Sequence, residues 1–136
     1  MNRKTDYAVR LLRHLADGKK HSMQSICEQQ CIPKAFAYKI LAPLKEAGWL
    51  DSVPGPKGGC RLLVDLKDVT MLELITLIEE NEPISSCLKE GYRCEWVAQH
   101  GRICPVSCAL RKMQEKIDAV YSSYTLYDMI FYTPEL

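Results

Sequence analysis

Apolar side chains fall into blocks of helical period separated by short stretches rich in breakers. Tyr7, Leu11, Leu12 and Leu15 repeat at helical spacing within residues 5–16. Thr5 is expected to cap this helix, and Gly18 follows its end. A short second helix is expected over residues 22–30, with Ser22 as N-cap and Met23, Ile26 and Cys27 on one face. A third runs over residues 33–47 to Gly48. Pro33 suits its first turn, where a missing N–H leaves nothing unpaired. Pro43 is expected to kink or weaken the last turns.

The period then changes. Residues 49–53 and 60–64 read as two strands around the breaker run PGPKGG, and so as a hairpin. Residues 70–80 read as a fourth helix, opened by a capping box of Thr70 and Glu73. Residues 81–104 show no clean period. They hold Pro83, Gly91, Gly101 and three cysteines, and a loop this long in a small domain is expected to be functional or disordered. Val106, Leu110, Met113, Ile117, Val120 and Tyr124 are then spaced four, three, four, three, four, a heptad-like seam on a long helix.

Three short helices followed by a hairpin is the order of a winged helix-turn-helix. The expected fold is mainly α with a small β-hairpin. A DNA-binding winged helix-turn-helix spans 1–65, a linking helix and cysteine-rich sensor loop 66–104, and a dimerisation helix with the C-terminal segment 105–136. In such a fold the third helix enters the major groove. Its exposed N-terminal positions would be Lys34, Ala35, Phe36, Tyr38 and Lys39. The lysines suit phosphates, and Tyr38 can donate to a phosphate or a base edge. Lys57 and Arg61 add two cations at the wing. The bland alternative is a three-helix bundle with solvated lysines. The seam either packs back onto its own domain or joins a second copy, and both can hold together. A homodimer would imply a two-fold DNA site.

Charge sharpens this picture. The net charge is only +1 over 136 residues, but it is divided. Residues 1–62 carry eleven Lys/Arg against five Asp/Glu, and residues 63–136 carry seven against twelve. A basic front half and an acidic back half place a polyanion at the front. A 47% hydrophobic content argues against disorder. No apolar run reaches membrane-span length, and no apolar stretch follows the basic start, so a cytoplasmic protein with no membrane partner is expected.

Seven cysteines, an odd number, argue against a disulfide framework and for metal or redox chemistry. Cys87, Cys94, Cys104 and Cys108 lie within 22 residues, with six, nine and three residues between neighbours. These spacings match neither a zinc ribbon nor a ferredoxin run. Soft thiolates in that number suit zinc or an iron-sulfur cluster, and the residues alone leave the choice open. Cys27 and Cys31 read as packing residues, Cys60 has no assigned ligand role, and His100 reads as a solvated loop histidine. A thiol redox enzyme would want a CxxC, and the nearest spacing here is CPVSC, so no enzyme is expected.

Four stretches carry a resemblance: TDYAVRLLRHLA, IPKAFAYKILAPLKEAGWL, PGPKGGCRL, and the closing CALRKM with YTLYDMI. Over nearly its whole length the chain resembles the bacterial winged-helix iron-sulfur regulators of the Rrf2 family, the family of IscR and NsrR. The resemblance implies a homodimer whose long C-terminal helices cross between subunits. It implies an iron-sulfur cluster, 4Fe-4S or 2Fe-2S, held by three cysteines of the loop and helix start. Cys87 and Cys108 align with the outer pair, and either Cys94 or Cys104 with the middle one. Asp6 falls where the nitric-oxide-sensing branch supplies a fourth ligand from the other subunit. As an alternative, Asp6 is a first-turn acid favouring the helix dipole, left free by an all-cysteine set. The implied function is a DNA-binding transcriptional regulator, most simply a repressor, whose operator affinity follows cluster or redox state. The alternative is an apo or zinc-stabilised winged-helix scaffold. The chain departs from the family in having four cysteines at unequal spacing where three are usual.

Overall fold

A computed structural model describes residues 1–135; Leu136, the last position of the expected C-terminal segment, lies outside them. Three helices come first: α1 (Arg3–Leu15), α2 (Met23–Gln30) and α3 (Lys34–Glu46). An antiparallel hairpin follows, β1 (Leu50–Val53) with β2 (Gly59–Leu62), in a register that sets Leu50 opposite Leu62 and Val53 opposite Gly59. Then come α4 (Met71–Ile78), a 3-10 turn (Ser86–Leu88), α5 (Glu95–His100), α6 (Pro105–Ser122) and α7 (Leu126–Ile130). This is the expected mainly helical winged helix-turn-helix with a long helix behind it.

The apolar stripes of the first four helices close on one core. α1 contributes Ala8, Leu11, Leu12 and Leu15, α3 contributes Ala37, Ile40 and Leu44, and α4 contributes Met71, Leu74 and Ile78. Each fully buried leucine or isoleucine adds about 1.5–3 kcal/mol. Ile26 of α2 and Leu50 of β1 complete the head. Gly48 leaves α3 at φ 78°, a left-handed step that favours glycine.

Several local expectations change. The cap of α1 is Asn2, whose side chain accepts from the Thr5 N–H. Thr5 is instead fully buried, and its hydroxyl donates to Glu79 Oε1 at 2.6 Å, tying α1 to α4. Pro33 is the N-cap of α3, one position before the first turn. Pro43 does not stop α3, because the buried Leu44 anchors the last turn and its carbonyl accepts from Trp49 N–H at 2.9 Å. Within the aperiodic stretch, Cys94 opens α5 and Gly101 closes it at φ 61°. The seam helix ends at Ser122, which leaves Tyr124 beyond it. Thr125 and Asp128 then form a second capping box that starts α7.

That last helix returns to the head. Leu126 is fully buried, Met71 N–H donates to Tyr124 O, and Leu126 N–H donates to Val69 O, both at 2.9 Å. The C-terminal end of α6 and the head are therefore joined by backbone hydrogen bonds as well as by the chain.

Candidate nucleic-acid interface and thiol site

α3 is positioned by its buried face. Ala37, Ile40 and Leu44 point into the core, so Lys34, Ala35, Tyr38 and Lys39 point out. Tyr38 is half exposed. Phe36 is different. Its ring is half-buried and lies 5.3 Å from the Tyr7 ring, with Lys39 Nζ 5.9 Å above its other side. Phe36 thus docks α3 on α1 and presents little to a groove.

The wing is placed by two backbone contacts. His21 N–H donates to Cys60 O at 2.9 Å, and Cys60 N–H donates to His21 O at 2.7 Å, which adds a short third edge to the hairpin. Lys20 Nζ donates to Lys57 O at 3.0 Å, and Lys45 Nζ to Ser52 O at 3.3 Å. Both bonds pin the loop while leaving the Lys57 and Arg61 side chains exposed. A Cβ on Gly58 would run into the Val53 carbonyl, and one on Gly59 would stand 2.5 Å from His21 O. The two glycines are therefore needed for close approach of backbone to backbone. Between α3 and the wing lies a groove of about 660 Å³, lined by Lys34, Tyr38, Lys45, Cys27, Cys60 and residues of the wing. A cationic helix face beside a cationic wing is suited to a phosphate backbone.

The four clustered cysteines sit on three elements. Cys87 lies in the 3-10 turn and makes a 3.1 Å contact with Ser85 Oγ. Cys94 caps α5, Cys104 caps α6, and Cys108 follows Cys104 by one turn, its N–H donating to Cys104 O at 3.2 Å. Cys87, Cys94 and Cys104 line one cavity of about 230 Å³ with Tyr92, Val97 and Val106. Cys108 is exposed and does not line it. Among the described residues, no group of three or more His, Cys, Asp or Glu side chains is gathered tightly enough to hold a metal ion. The loop is tied to α6 from the other side, where Ile84 N–H donates to Gln114 Oε1 at 2.7 Å. His100 stacks on Trp96 and bonds its carbonyl at 2.8 Å, outside the cavity.

Asp6 does not line that cavity. It pairs with Arg10 NH2 at 3.0 Å on the next turn of α1, and Arg10 also reaches toward Gln30 O. A nearby cluster went unnoticed in the sequence. His21 Nε2 sits 2.8 Å from Asp17, and the His14 and His21 rings meet edge to face at 4.5 Å. His14 Nδ1 faces Gln30 Nε2 at 3.3 Å, while its Nε2 is buried without a partner. Burial, and then the charge of His21, hold His14 below the ordinary histidine range, with Asp17 pulling the other way.

The seam divides on α6. Ile117, with Gln114, Asp118 and Tyr121, faces Leu72 and Ile75 of α4. Val106, Met113 and Val120, seven residues apart, are 65, 54 and 59% exposed. No residue of the 18-residue α6 is fully buried. Among the described residues no helix is long and apolar enough to cross a membrane.

The whole chain matches proteins with this arrangement. A family model described as Rrf2, iron-dependent transcriptional regulator, matches residues 1–131. The Rhizobium meliloti protein aau3 is 30% identical over 139 aligned positions, which cover 100% of this chain and 88% of that protein. The transcriptional regulator NsrR of Bacillus subtilis is 26% identical, over 93% of this chain and 86% of its own. Among solved structures, T. potens IscR superposes with a TM-score of 0.69 at 23% identity, over 96% of this chain and 85% of that one.

Proposed function

Because the chain belongs to the Rrf2 family of DNA-binding transcriptional regulators and is not an enzyme, we propose that it acts in the cytoplasm as a homodimer on a two-fold operator, under control of an iron-sulfur cluster. The observation that carries the sensor half is the convergence of Cys87, Cys94 and Cys104, from three separate elements, on one cavity. The donor set suits such a group by its chemistry: three soft thiols line one cavity with Tyr92, Val97 and Val106, and Cys104 is the N-cap of the 18-residue α6. Cys108, one turn along, is the fourth thiol within reach of the same helix start.

When bound, a cluster supplies a redox- and ligand-reactive centre whose binding depends on deprotonated thiols. The rest of the mechanism belongs to the chain. With its thiols engaged, the 84–104 segment holds α6 both at the cavity beside its N-terminus and at the Ile84–Gln114 bond. With them free, that bond and the packing of the 3-10 turn on α6 are what hold the loop. α6 then sits less firmly between the head and the partner, and the spacing of two recognition helices on a two-fold site changes.

In each head, Lys34, Lys39, Lys57 and Arg61 are assigned to phosphates and Tyr38 to a phosphate or a base edge. Ala35 is small enough to let the backbone approach the groove, and Phe36 is a positioning residue. The partner's Asp6 is the candidate non-cysteine ligand, since Asp6 lies away from the cavity of its own protomer.

Anaerobic purification followed by visible absorption tests this reading. A brown protein that loses its colour on Cys87→Ala and Cys104→Ala, and that binds its operator differently before and after cluster removal, is expected. A colourless protein with stoichiometric zinc, or equal operator affinity in both states across ionic strengths, overturns it. Cys94→Ala, Cys108→Ala and Asp6→Ala then settle the ligand set by the same colour.

A further inference from the structure

Three sulfur atoms of the head, those of Met23, Cys27 and Cys60, share a groove distant in sequence from the cysteine loop. Ser22 caps α2 and so places Met23 and Cys27 four residues apart on one face. Across from them, Cys60 is fixed by the two-way backbone pairing with His21, and its side chain is buried. The Cys60 thiol donates to Met23 Sδ at 3.2 Å. Cys27 lines the same groove as Met23 and Cys60. Two thiols and a thioether thus line one groove where α2, α3 and the wing adjoin, with the Cys60 and Met23 sulfurs in contact.

We propose that Met23, Cys27 and Cys60 form a binding site for a soft monovalent metal ion, Cu(I) being the natural occupant. Thioether and thiolate together select Cu(I) over harder ions, and three sulfurs suit its low coordination number. Binding is not a redox step. Cu(I) stays Cu(I), the two thiols each release a proton to solvent, two copper–thiolate bonds and one copper–thioether bond form, and the loaded site carries one net negative charge. Burial raises both thiols; Lys34 favours the Cys27 thiolate while Glu28 opposes it, and Lys45 favours that of Cys60 while Asp51 and Cys27 oppose it. The same two lysines line the groove above, so they also neutralise the loaded site. The site opens onto the surface that presents Lys34 and Tyr38, and its occupation alters what that surface offers to DNA.

This inference is independent of the iron-sulfur reading, and one protein separates them. The full-length chain bearing Cys31→Ser, Cys87→Ser, Cys94→Ser, Cys104→Ser and Cys108→Ser keeps the three head sulfurs and removes every other thiol. Titrated anaerobically with Cu(I) against a chromophoric Cu(I) chelator, it is expected to take up one equivalent. Thiolate-to-copper absorption in the ultraviolet and two protons released per copper accompany the uptake. Cys27→Ser or Cys60→Ser in that background is expected to abolish it. Met23→Leu is expected to weaken it while leaving the apo-protein's unfolding midpoint near the parent's. No uptake in competition with the chelator overturns the proposal, as does uptake of Zn(II) in preference to Cu(I). So does uptake unchanged by Cys60→Ser in a chain that circular dichroism shows to be folded. Should Cys60→Ser not fold, the half-buried Cys27→Ser decides by the same readout.

Discussion

His21 and Cys60 exchange backbone hydrogen bonds in both directions, at 2.9 and 2.7 Å, and so join the entry to α2 to the second strand of the wing. The recognition helix follows α2 directly, and the hairpin follows the recognition helix. This one pairing therefore fixes the wing relative to the helix face proposed to read DNA. Gly59, beside Cys60, permits it, because any Cβ there would press on His21 O.

Gly59→Ala is accordingly expected to destabilise the head by about 1–3 kcal/mol, the usual cost of forcing an extra methyl into close packing. Urea unfolding measures this directly. An unchanged midpoint would show that the wing is not held by the His21 contact.

The cations and the aromatic of α3 should separate in a salt titration. Lys34→Ala, Lys57→Ala and Arg61→Ala should each lower the slope of log affinity against log salt by about 1, with little loss of stability. Phe36→Ala should leave that slope intact and lower the unfolding midpoint instead, since its ring packs on Tyr7. The reverse pattern would remove the assignment of α3 and the wing to phosphates.

The bare half of α6 makes a prediction about assembly. Met113→Glu or Val120→Glu puts a charge on an exposed apolar row, which costs nothing in a monomer and much in a buried interface. Sedimentation is expected to shift from dimer to monomer without loss of helical signal. A dimer that persists in both variants would place the interface elsewhere.

His14 predicts a pH dependence whose sign follows from its lowered folded-state pKa. Above the ordinary histidine pKa, neither the folded nor the unfolded chain is protonated there, and the full contribution is present. As pH falls from the ordinary value through the lowered one, the unfolded chain takes up a proton first, so stability declines. Protonation also sets a second donor at Nδ1 against Gln30 Nε2. The unfolding midpoint should drop between pH 7 and 5, and His14→Gln should flatten that drop. Parallel curves for the two proteins would refute the role.

Capping explains most of what could be read locally. Ser22, Thr70 and Gly48 act where their neighbours in sequence require, because a cap answers backbone groups only a few residues away. The same logic announces α7, whose Thr125 and Asp128 repeat the Thr70 and Glu73 pattern, although it lies beyond the heptad spacing that draws the eye. α5 is harder to see, since six residues with no buried position carry no period. Thr5 shows the limit of the rule: a hydroxyl at a plausible cap position is claimed by Glu79, and Asn2 caps instead.

By itself the sequence determined what depends on near neighbours: the helical stripes, the glycine turn of the wing, the order of elements and the division of charge. These are set by hydrogen bonds and spacings that span a turn or two of chain. The tertiary structure alone decided which distant groups meet. It split the seam between α4 and the exterior, drew Cys87, Cys94 and Cys104 to one cavity while leaving Cys108 outside, and moved Phe36 from the DNA face to the core margin. It also brought Cys60 to Met23, two residues that sequence order keeps apart. Burial chooses such partners, because apolar area leaves water wherever the chain can bring two surfaces together, whatever separates them along the sequence.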